Sequence, residues 1–194
     1  MIIYVATTNQ GKLEEMKELL SGQGIEIKSL MEQFPEAEDV EETGTTFEEN
    51  AILKAETYAK KYQVPVLADD SGLEVYALNR EPGVYSARYA GEAKDDQANN
   101  DKLLKKLQDK KSEDREAAFV CVLAFARPGE TTLTTEGRSE GRILTERRGE
   151  QGFGYDPIFQ PDGYDQSYGE LGPDVKNRIS HRKKALEKML NELR

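Results

Sequence analysis

At 194 residues the chain has room for one domain, or one domain in two lobes, with a substantial core. Its 37 acidic residues outweigh 27 basic ones for a formal charge of −10. That balance argues against broad binding to nucleic acid or anionic membranes, but not against a nucleotide held in a local positive pocket. A single cysteine, Cys121, excludes an internal disulfide. No apolar run approaches a membrane span, and no signal-peptide pattern opens the sequence, so a reducing, cytoplasmic setting is expected.

Ile2–Ala6 is short, apolar and rich in β-branched residues, which predicts a buried strand. A helix is predicted from about Gly11 to Leu20, with Leu13, Met16, Lys17 and Leu20 on one side and Glu14, Glu15 and Glu18 outward; Gly22 and Gly24 end it. Ile25–Leu30 alternates as the next strand. Strand, loop, helix, strand is the opening of an α/β protein. Residues 31–45 form an acidic loop. Thr46–Tyr62 follows as a long helix with Phe47, Ala51, Ala55 and Tyr58 on its apolar stripe and Thr45 or Thr46 as cap. Val66–Ala68 is a short strand that runs into Asp69-Asp70-Ser71-Gly72, with a second apolar stretch at Leu73–Leu78 and a turn at Pro82-Gly83.

Residues 94–111 are predicted helical, with a lysine-rich, solvated face. Ala117–Ala126 is the strongest central-strand candidate, and Thr131–Gly137 its antiparallel partner across a turn at Pro128-Gly129-Glu130. Residues 149–165 have loop composition around a short strand at Ile158-Phe159, and Pro173–Leu193 has one continuous helical pattern. With no repeat and no linker, the sequence predicts one domain, 1–194, built on a mixed sheet.

Four segments carry candidate chemistry. Thr7-Thr8-Asn9-Gln10-Gly11-Lys12 joins the first strand to the first helix. Free N–H groups and the positive end of a helix dipole suit a phosphate there, although the same residues also describe an ordinary helix cap. It is not a Walker A loop. In Asp69-Asp70, two adjacent carboxylates at a strand end repel each other, and a metal ion would relieve the repulsion; a tight Asp-Ser-Gly turn is the alternative. If the segment stays extended, the two side chains point oppositely: one faces the metal and water, the other ties down the loop. Glu41-Glu42-Thr43-Gly44 is an acidic loop, and Lys54 on the following helix either reaches phosphates or snorkels to water. In Gly152-Phe153-Gly154-Tyr155-Asp156-Pro157, the glycines permit close approach of backbone, and Phe153 and Tyr155 can stack on a flat base or serve as core rings of a turn. Lys176 and Ser180-His181-Arg182 follow; a single histidine excludes a zinc site built on several.

Taken together these segments resemble the inosine triphosphate pyrophosphatase, or Ham1-like, family. The markers run in order over nearly the whole chain. They are Ala6 to Lys12; Glu42-Thr43-Gly44; Phe47-Glu48-Glu49-Asn50-Ala51 with Lys54-Ala55; Ala68-Asp69-Asp70-Ser71-Gly72-Leu73; Pro82 to Tyr89; Gly152 to Pro157; and Ser180-His181-Arg182. The resemblance implies an α/β fold with a long, curved mixed sheet flanked by helices, two lobes around a central active-site cleft, and a homodimer. It implies hydrolysis of ITP, dITP and XTP to the monophosphate and pyrophosphate, which cleanses the nucleotide pool, with Mg2+ as the metal.

It also implies roles. Thr7, Thr8, Asn9, Gln10, Gly11, Lys12 and Lys54 resemble the triphosphate contacts. Glu42 and Asp70 resemble the magnesium pair, with Asp70 as proton acceptor for the attacking water. Ser71 resembles a substrate contact. Phe153, Gly154, Tyr155 and Asp156 resemble the base pocket, and Lys176, His181 and Arg182 the groups that read the purine edge. A non-catalytic nucleotide sensor is the rival from another class, against which the Glu42 and Asp70 pair argues. Maf-like pyrophosphatases are the rival within the same class, against which His181-Arg182 and the Gly-Phe-Gly-Tyr-Asp loop argue.

Overall fold

The computed structural model describes residues 1–193. Among the described residues six strands form one mixed sheet in the order β2-β1-β3-β4-β5-β6. They are β1 (Ile2–Val5), β2 (Glu26–Ser29), β3 (Val66–Val75), β4 (Glu116–Ala126), β5 (Leu133–Ile143) and β6 (Phe159–Pro161). Seven α-helices accompany it among the described residues: α1 (Gln10–Leu19), α2 (Leu30–Gln33), α3 (Phe47–Tyr62), α4 (Asp96–Lys106), α5 (Tyr168–Leu171), α6 (Pro173–Ile179) and α7 (His181–Leu193). The chain divides into two compact units: Met1–Asp70 with Cys121–Gly137 and the segment from Arg182, and Ser71–Val120 with Arg138–His181. No helix among the described residues is long and apolar enough to cross a membrane.

In the first unit β1 pairs in parallel with β2, Ile3 opposite Ile27, and with β3, Val5 opposite Leu67. The β1–α1–β2 connection leaves β1 on one side, and the chain returns through α3 to β3 on the other. The carboxyl end of β1 is therefore a topological switch point, where α/β sheets place their ligands. Three caps set the helix starts. The Asn9 side chain accepts from Lys12 N at 3.1 Å, Ser29 from Glu32 N at 3.3 Å and Thr46 from Glu49 N at 3.1 Å. The core of the unit includes Ile3, Val5, Met16, Leu67, Phe125 and Leu186, each at most 2% exposed. α7 joins it through Ala185, Leu186 and Met189, and burying each of the larger two stabilises by about 1.5–3 kcal/mol.

In the second unit Leu73, Val75, Leu103, Phe119, Phe159 and Tyr168 are buried together. β5 and β6 pair antiparallel, Arg142 opposite Gln160. The Arg115 guanidinium is buried and donates to the carbonyls of Leu107 and Ile143, so it ends α4 and β5 with charge-assisted bonds.

Five expectations change. Residues 31–45, read as loop, begin inside a short helix, α2, that Ser29 caps. Val66–Ala68 and the stretch after Gly72 are one strand, β3, which runs through Asp69-Asp70-Ser71-Gly72 without a turn. The predicted partner strand Thr131–Gly137 starts two residues later and continues to Ile143. The continuous helical pattern over Pro173–Leu193 breaks at Ser180, which is extended at φ −68° and ψ 159° and fully buried. Glu15, read as outward, is only 9% exposed. The amphipathic stripe finds the helix face that meets the sheet, but it is blind to a buried acid whose partner comes from elsewhere in the chain.

Candidate active site

Because β3 stays extended at Asp69 and Asp70, neighbouring side chains take different company. Asp69 is 1% exposed; its Oδ2 lies 3.2 Å from Lys12 Nζ and 3.8 Å from an Arg182 amino group. Asp70, 5% exposed, accepts at Oδ2 from Asn50 Nδ2 at 3.0 Å. Lys54 Nζ donates to the Asp69 carbonyl at 2.5 Å and lies 3.0 Å from Glu42 Oε1. Thus the Asp69 carboxylate ties down α1 and Arg182, and the Asp70 carboxylate takes different company, with Asn50, Lys54 and Glu42 around it.

The electrostatics follow from crowding. Burial, then the nearby Glu42 charge, pushes the Asp70 carboxyl up to about 7, against the pull of Lys54, Lys12 and the Asn50 hydrogen bond. Burial draws Lys54 down, but Asp69, Glu42 and Asp70 together carry it above its ordinary value, so it stays charged. Arg182, fully buried, is likewise held up by Glu15 and Asp69 against its burial. Four carboxylates (Glu15, Glu42, Asp69, Asp70) face three cations (Lys12, Lys54, Arg182). The surplus acid is Asp70.

Glu42 and Asp70 are the residues suited to a hard divalent cation. Among the described residues no cluster of three or more His, Cys, Asp or Glu could hold a metal by itself. Two carboxylates are nonetheless what magnesium asks of a protein when phosphate oxygens and water complete its shell.

The α1 amino end lies beyond β1. Thr7 is half-buried and its Oγ1 accepts from Asn9 N at 3.1 Å; Thr8, Asn9 and Gln10 are exposed; Gly11 and Lys12 are half-buried. The first turn of the helix is therefore open at its positive end, with Lys12 beside it.

In the second unit, Asp156 is buried and its Oδ2 collects Phe153 N at 3.0 Å and Lys176 Nζ at 2.7 Å. Lys176 Nζ also lies over the Phe153 ring, 4.3 Å from its centroid. A Cβ on Gly152 would fall 2.1 Å from Asp156 Oδ2, so only glycine fits this turn at its φ of +79°. Gly154 N donates to Asp96 Oδ2 at 2.9 Å, which fastens the loop to α4. Ser71 is half-buried in β3.

Four of the candidate base-pocket residues differ in burial. The Tyr155 ring, a stacking candidate, is a core ring with its hydroxyl donating to the Ser86 carbonyl at 2.6 Å. Phe153, half-exposed, is the ring of this loop offered to a ligand. His181 is buried and stacks on Phe119, centroids 5.0 Å apart and planes 15° apart. Arg182 is 1% exposed and hydrogen-bonded to Glu15. Sequence reasoning missed Glu15, Asn50 and Asp96 as site-building residues. Asn50 stood inside a quoted motif, but nothing in its surroundings announced its two partners.

The model of the Ham1 family matches residues 3–192. The chain is 52% identical over 187 residues to the dITP/XTP pyrophosphatase of Oceanobacillus iheyensis, spanning 96% of this chain and 95% of that protein. It is 55% identical over 185 residues to the Bacillus subtilis protein of the same name, spanning 95% and 93%. The solved Ham1 protein of Staphylococcus aureus superposes with a TM-score of 0.89 at 47% identity, over 100% of this chain and 98% of that one.

Proposed function

The chain belongs to the Ham1 family, and from that premise we propose that it hydrolyses the non-standard purine triphosphates dITP, ITP and XTP to the monophosphate and pyrophosphate in the cytoplasm. The observation that carries the reading is the cluster of Asp70, Glu42, Lys54, Asp69 and Lys12 by the carboxyl end of β1 and the middle of β3, beside an open helix start.

Lys12 and Lys54 hold the triphosphate by charge, and the exposed turn Thr8-Asn9-Gln10 adds backbone N–H donors. Glu42 and Asp70 would hold Mg2+, which would supply charge neutralisation to the phosphates. Asp70 accepts a proton from the attacking water. The water oxygen forms the new bond to phosphorus, the bridging P–O bond between the α and β phosphates breaks, and pyrophosphate leaves with the bonding pair. Without a cation, burial and Glu42 hold that carboxyl up at about 7. Ser71 contributes a further substrate contact.

Phe153 supplies stacking that any purine ring can use, worth about 1–3 kcal/mol. Lys176, fixed by Asp156, polarises that ring, and Gly154 and Tyr155 shape the loop beneath it. His181 and Arg182 donate to the 6-oxo group of hypoxanthine and xanthine. Adenine would meet them with its own donor, leaving both unpaired. Arg182 suits this reading because Glu15 fixes its guanidinium in one orientation.

Initial rates on dITP, ITP, XTP, ATP and GTP test the selectivity. The 6-oxo preference predicts kcat/KM for ITP at least about tenfold above that for ATP, the worth of one charged hydrogen bond. Equal rates on ITP and ATP would reject it.

We further propose a homodimer. Tyr85 is 57% exposed with Arg88 stacked 5.2 Å over its ring, the tyrosine and arginine composition that interfaces favour. Light scattering at micromolar concentration is expected to give twice the 21.8 kDa chain mass; a monomer mass would sink the idea.

A further inference from the structure

Asn50 lies in the first turn of α3 and is 1% exposed. A buried primary amide needs partners for both of its ends. Its Nδ2 donates to Asp70 Oδ2 at 3.0 Å, and its Oδ1 accepts from Gly44 N at 2.7 Å. The orientation of the amide is fixed by its partners, because a carboxylate only accepts and a backbone N–H only donates. One side chain therefore spans the carboxylate on β3 and the loop that bears Glu42.

Gly44 is part of the same device. A Cβ there would lie 2.6 Å from Asn50 Oδ1 and 2.7 Å from Glu49 Cβ. Glycine is required by space, so that the loop backbone can reach the amide. Other contacts fasten this loop to α3: Thr45 N donates to Glu49 Oε2 at 2.8 Å, Tyr58 Oη donates to the Glu38 carbonyl at 2.6 Å, and Lys54 Nζ lies 3.0 Å from Glu42 Oε1. None of these is a hydrogen bond to the Asp70 carboxylate. The Asn50 amide joins the loop and the carboxylate.

We propose that Asn50 is a positioning residue for the reaction: it holds Asp70 and the Glu42 loop in one fixed relation, so that both carboxylates address the same cation. This rests on the assignment of Glu42 and Asp70 as the cation pair. Supporting contacts of this kind orient ligands, and their loss costs about 10- to 100-fold in metal affinity or activity.

The test uses Mn2+ alone as probe, titrated by calorimetry into the wild type and Asn50→Leu without nucleotide, alongside dITP kinetics and melting curves. Asn50→Leu removes both bonds at similar volume. It is expected to bind Mn2+ about tenfold or more weakly and to lose kcat by about 10- to 100-fold, with KM for dITP within about threefold, since Lys12, Lys54 and Phe153 remain. Asn50→Asp keeps the acceptor for Gly44 N but sets a second carboxylate against Asp70. It is expected to keep more of the wild-type melting temperature than Asn50→Leu while still losing kcat about tenfold or more. A folded Asn50→Leu with wild-type Mn2+ affinity and kcat would overturn the proposal, as would an Asn50→Asp variant of undiminished kcat should Asn50→Leu not fold. A wild type that takes up no Mn2+, either alone or with dIMP present, would instead overturn the cation assignment, and this inference with it.

Discussion

Asp70→Asn is expected to lower kcat for dITP by about a hundredfold or more while leaving the fold intact, the range for losing a positioned base or metal ligand. The same substitution is expected to stabilise the metal-free protein at alkaline pH. Burial and Glu42 raise the Asp70 carboxyl from its ordinary 3.8 to about 7, so between those values the folded chain binds a proton that the unfolded chain does not. Stability then falls as pH rises through that window, because the folded state must give up its proton and keep a buried, repelled charge. With chelator present, melting curves from pH 5 to pH 8 are expected to show a decline in the wild type that Asp70→Asn lacks, of up to a few kcal/mol. A divalent cation added at pH 8 is expected to raise the wild-type melting temperature more than that of the variant. An Asp70→Asn enzyme with near-normal turnover would remove Asp70 from the chemistry.

Glu15→Gln is expected to cost about 3 kcal/mol of stability, the lower end of the penalty for breaking a buried ion pair, since Asp69 still lies 3.8 Å from the Arg182 guanidinium. Arg182 and Glu15 are 1% and 11% exposed at their side chains, so water does little to compensate. For a chain of this size the loss corresponds to a fall of about 10 °C in melting temperature. The double variant Glu15→Leu with Arg182→Met is expected to recover much of the loss, since a packed apolar pair avoids the desolvation cost. Urea unfolding measures both. A Glu15→Gln variant within about 0.5 kcal/mol of wild type would show that the pair contributes little.

The parts of the fold that were legible in the sequence are those set by local pattern. The first strand, the loop and α1 follow from an apolar run, a cap and a 3.6-residue stripe, and Thr46, one of two candidates, caps α3. Asp69 and Asp70 divide as pleat geometry requires once β3 is extended through them. The misreadings have a common cause, which is partners far off in the chain. Glu15 looks like Glu14 and Glu18 in any window of α1, but its partner stands 167 residues on. Tyr155 carries the same local glycine signal as Phe153, and only the Ser86 carbonyl and the surrounding core separate a buried ring from an offered one. Ser180 sits in an unbroken helical pattern; its extended backbone divides Lys176, turned to Asp156, from Arg182, turned to Glu15. Asn50 shows no chemistry in sequence because an amide acquires its meaning from what lies at its two ends.

The most direct measurement is the identity of the products from dITP. Purified protein with Mg2+ and dITP, quenched early and resolved by anion exchange, is expected to yield dIMP and pyrophosphate in equal amounts, with no dIDP at any time. Release of dIDP with orthophosphate would place the cleavage between the β and γ phosphates and contradict the assignment of the reaction.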